Sequence, residues 1–169
     1  MTALRQPSSR ATTPRSSERR SEQWTSDFAG VVYGRWVPPE LIRGQRIAVI
    51  GDAASLAQVV PALVRAAAFV KVFQDEPAWA GPSWAASLPR SVQRRIAAGT
   101  LRATIRDPWL RWQLTPHANV RVAGVTGAYV RALQTDNCKL ITWPIAMIVP
   151  AGIRTADGIE HHVDAIVMV

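Results

Sequence analysis

The sequence predicts an α/β domain built on a parallel central sheet, and three observations within residues 46–76, RIAVIGDAASLAQVVPALVRAAAFVKVFQDE, predict it. The unbroken apolar run Ile47 to Ile50 has the length and β-branched content of a strand buried on both faces. Beyond Gly51 and from Ser55 onward, Leu56, Val59, Val60, Leu63, Val64 and Ala67 recur at three- and four-residue steps, the period of a helix with one buried face. Phe69 to Phe73 is a second β-rich run. Strand, turn, helix and strand together span about 30 residues, the size of one βαβ crossover.

The turn carries the first functional expectation. A dinucleotide-binding turn uses glycine at three places: for the tight bend, for approach of backbone to pyrophosphate, and for close packing of helix on strand. Here those places hold Gly51, Ala53 and Leu56. The bend is allowed, while a methyl group and a bulky side chain stand at the other two positions. The helix N-terminus still presents N–H groups and a positive dipole end to an anion, so Gly51, Asp52, Ala53, Ala54 and Ser55 are the candidate phosphate contacts. Asp52 and Ser55 are also candidate helix caps, and the Asp52 charge would repel an anion. At the end of the second strand stand Asp75 and Glu76, where an acid bonds the ribose hydroxyls of NAD and a base would receive the 2′-phosphate of NADP. Two acids there disfavour NADP. The reading is thus a Rossmann-like, three-layer domain with weak NAD(P) binding.

The remaining chain divides around this unit. At 169 residues there is room for one ordinary domain with a real core. Residues 1–23 are rich in Ser, Arg, Thr and Pro and cannot bury enough surface to offset ordering, so a disordered basic tail is expected. Residues 24–45, including FAGVVYGRWVPP, read as a turn-rich linker, and 46–169 as the Rossmann-like domain. The net charge of +8 suggests polyanions, but Arg5, Arg10, Arg15, Arg19 and Arg20 lie in the tail, and nucleic acid is not the expected partner. With no run of about 20 apolar residues and no apolar secretory leader, the expectation is a soluble, cytoplasmic chain away from the membrane.

Ser91 is the expected N-cap of a helix, VQRRIAAGTLRATIR, with Val92, Ile96 and Leu101 packed inward and arginines outward. Trp109 and Trp112, three apart on one helical stripe, read as core or cover; exposed together they would mark an interface. A short helix is expected over 126–133, strands over 138–141, 145–149 and 165–169, and a hairpin turning at Ala156-Asp157-Gly158 toward Val163. His161 and His162 are neighbours on a strand and point to opposite faces, and Cys138 is the only cysteine, so no metal site and no disulfide is predicted.

Several motifs in order resemble the NAD(P)-binding domain of flavin-dependent monooxygenases of the Baeyer–Villiger and flavin-containing type. Gly51, Ser55, Gln58, Pro61, Phe73, Gln74 and Pro77 stand where that family has G-x-G-x-S, Q-x-x-P and F-Q-R-x-P, followed by DPWLRWQLTP, YVRAL and GIRTADGIEHHVDAIV. Phe28 and Gly30 match the opening of the family's F-x-G-x-x-x-H-x-x-x-W-P linker, but Gly34 replaces its histidine, and Asp75 replaces the arginine of F-Q-R-x-P. The family's Lys-Arg pair has Arg121 alone as counterpart, a candidate cofactor contact without an assigned catalytic role. The resemblance implies FAD and NADPH chemistry, yet no second fingerprint to hold FAD is recognisable, and no catalytic residue is assigned. The expected function is that of a truncated relative without oxygenation activity alone. The alternatives are a protein- or polyanion-interaction module using the surface left by a missing FAD domain, or a partner chain completing an FAD-dependent enzyme.

Overall fold

A computed structural model describes residues 27–34, 37–74, 89–114 and 127–169. Five parallel strands form the central sheet: β1 (Val31–Tyr33), β2 (Arg46–Ile50), β3 (Phe69–Phe73), β4 (Cys138–Ile141) and β8 (Ala165–Met168), in the order β1-β8-β2-β3-β4. Three antiparallel strands, β5 (Ile145–Val149), β6 (Gly152–Thr155) and β7 (Glu160–His162), form a second, smaller sheet. The described helices are α1 (Pro39–Ile42), α2 (Ala53–Ala66), α3 (Arg90–Thr104), α4 (Pro108–Gln113) and α5 (Gly127–Ala132).

Strand alternation divides the core into two layers, because successive side chains point to opposite sheet faces. Ile47, Val49, Val70, Val72, Leu140, Ala165 and Val167 meet the helices through Leu56, Val60, Leu101, Leu110 and Tyr129. Ala48, Phe73, Ile141 and Ile166 face the other way, against Ile148, Ile153 and Val163 of the small sheet and its approach. Both faces of β2 are therefore covered, and this is why its sequence is apolar without alternation. The three layers are helices, parallel sheet and antiparallel sheet.

Three local expectations change. Val31–Tyr33, inside the stretch read as a turn-rich linker, pairs with β8 and forms the edge of the parallel sheet. α3 begins at Arg90 with Pro89 at its N-cap and no side-chain cap bond, two residues before the expected Ser91 cap, and Val92 is exposed while Leu101 is buried. Trp109 and Trp112 are neither core nor cover: they are 60% and 57% exposed. The hairpin forms as expected, β6 pairing with β7 around Asp157, whose carboxylate accepts from the Thr155 hydroxyl at 2.6 Å and from the Ile159 N–H at 3.2 Å.

Candidate functional site

Two residues join β2 to α2, and they bring Gly51, Asp52, Ala53, Ala54 and Ser55 together at the carboxyl edge of the parallel sheet. Gly51 is required by what lies above it: a Cβ there would stand 2.6 Å from both the carbonyl oxygen and a methyl carbon of Val169, at the end of β8. The Val169 N–H donates to the Ile50 carbonyl at 2.9 Å, so this contact is part of the sheet edge.

The N-terminus of α2 is capped by Asp52. One carboxylate oxygen accepts from the Ala54 and Ser55 N–H groups, each at 2.9 Å, and the other accepts from the Ser55 hydroxyl at 2.9 Å. These N–H groups are the donors that a pyrophosphate would need. The Asp52 carboxylate already accepts from them, where a pyrophosphate oxygen would. Ala53 is buried in the helix-side core, so its methyl turns inward, and Leu56 is fully buried at the helix–strand contact. The turn as folded does not fit a pyrophosphate unless Asp52 moves.

Beside this edge, Gln74 follows the last residue of β3. Its N–H donates to the Ile141 carbonyl at 3.1 Å, and its buried side-chain oxygen accepts from the Tyr129 hydroxyl at 2.8 Å, tying the strand end to α5. Burial holds the Tyr129 phenol far above its ordinary range and pushes the Cys138 thiol up to about 12, so neither group ionises near neutrality. The sequence marks Gln74 and Tyr129 only as motif positions. Their pairing needs the tertiary fold. Asp75, Glu76 and Arg121, the expected ribose and cofactor contacts, lie outside the described residues.

The histidine pair behaves as its alternation implies. His161 is half-buried, packs edge-on against Phe73 at 5.4 Å and approaches the Thr155 hydroxyl at 3.1 Å through Nε2, whereas His162 is exposed. Desolvation first, and the Lys71 charge second, hold His161 below the usual imidazole range. Among the described residues no His, Cys, Asp and Glu cluster could hold a metal ion. No helix among them is long and apolar enough to cross a membrane.

No family model matches the chain. An uncharacterized monooxygenase of Mycobacterium tuberculosis is 29% identical over 183 residues, covering 84% of this chain and 37% of the relative. A Baeyer–Villiger monooxygenase of Streptomyces coelicolor is 26% identical, covering 83% of this chain and 35% of the relative. The chain thus spans about a third of the length of these curated relatives. In fold it matches cyclohexanone monooxygenase bound to ε-caprolactone, with a TM-score of 0.70 at 15% identity over 85% of this chain and 43% of that one. OTEMO in complex with FAD and NADP matches with a TM-score of 0.68 at 19% identity, over 85% and 42%. Across most of its own length and about a third of theirs, this chain is similar in sequence to proteins named as monooxygenases, a Baeyer–Villiger monooxygenase among them, and it shares the fold of cyclohexanone monooxygenase.

Proposed function

We propose that this domain keeps the architecture of a nicotinamide-dinucleotide domain while its phosphate turn is closed by its own Asp52, so that NAD(P) binds weakly and the domain alone does not oxygenate a substrate. The observation that carries this reading is the double capping of Ala54 and Ser55 by the Asp52 carboxylate. An incoming phosphate must displace that carboxylate or share its donors against charge repulsion. Monooxygenation by flavin needs the cofactor to carry the oxygen chemistry, with protein supplying orientation and electrostatics. Among the described residues, the β2–α2 turn alone directly joins a parallel strand to a long helix N-terminus, and it is the turn that Asp52 fills. Asp75 and Glu76 support NAD over NADP for whatever binding remains, and Arg121 is a further candidate contact.

Calorimetric titration tests the reading on three proteins: the unaltered chain, Asp52→Gly, and Asp52→Gly with Asp75→Arg. Glycine retains most of the capping preference, so the fold should persist. The unaltered chain should bind NAD+ and NADP+ with dissociation constants of about 1 mM or weaker. Asp52→Gly should tighten NAD+ by about tenfold, and Asp75→Arg should turn the preference toward NADP+. Micromolar NADP+ binding by the unaltered chain would sink the proposal.

A further inference from the structure

α4 exposes an aromatic face next to a strongly basic segment. The Trp109 and Trp112 rings stack at 5.0 Å and 21°, with more than half of each residue open to water. Together they expose on the order of 250 Å² of aromatic surface. The α4 helix is tied back to the end of α3, because Arg111 donates to the Ile105 carbonyl at 3.0 Å. Residues 90–114 hold six arginines and a single acid, Asp107. That acid is engaged as the α4 cap, accepting from the Trp109 N–H at 2.9 Å and the Leu110 N–H at 3.3 Å. Arg95, Arg102 and Arg106 are exposed, and none is in a salt bridge among the described residues. Arg95 and Arg102, seven apart, share one face of α3. Gln113 reaches the Thr142 hydroxyl at 3.5 Å, which brings the exposed Trp143 close to the same end of α4.

We propose that the Trp109–Trp112 face is a docking surface for an acidic polypeptide segment that carries apolar side chains. Trp and Arg are the residue types that dominate binding at protein interfaces, the ring by apolar burial and the guanidinium by paired carboxylates. Charge selects the occupant. A second copy of this chain would bring a second segment of six arginines and one acid toward the first, and like charges across an interface repel. A nucleic acid offers the right charge but needs open ring faces for its bases, and the two indoles already use one face each on one another.

The test uses the full chain and a fluorescein-labelled peptide of about four helical turns with Glu on one face and Leu on the other. Three controls are an all-Glu peptide of the same length, a single-stranded oligothymidylate and a Lys/Leu peptide. The Glu/Leu peptide should give saturable anisotropy. Trp109→Ala with Trp112→Ala should weaken it by about tenfold or more. Arg102→Gln with Arg106→Gln should weaken it and flatten its salt dependence. Both tryptophans are exposed, so melting temperature should hold; if the double variant does not fold, Trp109→Ser alone carries the comparison. The proposal is overturned by a lack of saturable binding, by equal binding of the all-Glu or Lys/Leu peptide, or by a tryptophan variant that binds as well as the parent. Tighter, tryptophan-dependent binding of oligothymidylate would also overturn it and assign the face to nucleic acid.

Discussion

Asp52 stands at the start of α2 as the partner of groups that would otherwise seek an anion, and its removal has two separable effects. Asp52→Ala should cost about 1 kcal/mol of stability through the lost cap, measured by denaturant melts, whereas Asp52→Asn retains a capping oxygen and should cost a few tenths. Leu56→Ala should cost about 2–5 kcal/mol, because Leu56 is fully buried among Val60 and the sheet. Asp52 was legible as a cap from residue type and position alone, whereas Ser55, the other candidate, lies inside α2 and donates its N–H and hydroxyl to Asp52. The direction of the Ala53 methyl was not legible, since the first residue of a helix can face either core or solvent and only the seat of α2 on the sheet decides which. Gln74 and Tyr129 show the same limit: 55 residues separate two polar groups whose hydrogen bond exists only after β3 and α5 are packed together.

Whole elements were legible where their period was long and failed where they were short. α2 has fourteen residues and one buried face, and its apolar spacing sufficed to place it. β1 has three residues, too few to show alternation, and its partner β8 is remote in sequence. For α4 the spacing put both tryptophans on one stripe without saying whether that stripe faced the core. Glycine substitutions separate the elements by what surrounds them. Gly51→Ala should destabilise by about 1–3 kcal/mol, because the new methyl meets the Val169 carbonyl at the sheet edge. Gly99→Ala, inside α3 with nothing within 4 Å of the added carbon, should stabilise by about 1 kcal/mol. Thermal melts of the pair read both signs.

Across the whole molecule, pH should act in two steps with the same sign. His161 is held below its unfolded value, which is about 6.5, chiefly by desolvation, so as pH falls through that value the unfolded chain takes up the proton first and stability declines until the folded group titrates. The Thr155 hydroxyl points its proton to Asp157, so His161 Nε2 is the donor to Thr155, and His161→Gln can keep that bond while removing the first step. Asp164, Asp157 and Glu160 are held low, first by side-chain hydrogen bonds from Arg46, Thr155 and Arg154 respectively. Their stabilisation is complete above about pH 4 and is lost as pH falls through the lower folded values. Melting temperatures from pH 8 to pH 3 should show both declines, and His161→Gln only the second. The position of β8 bears on how the molecule assembles in time. It lies between β1 and β2, and Arg46 and Asp164, which clamp that junction, are 118 residues apart. The β2–α2–β3 unit can form from neighbouring residues, but β1 has no place in the sheet until β8 has crossed to join β2. Closing so long a loop delays its own reward, so the β1–β8 junction should be the late, rate-limiting event in folding, and the β1 amides that donate to β8 should be the last strand amides to gain exchange protection.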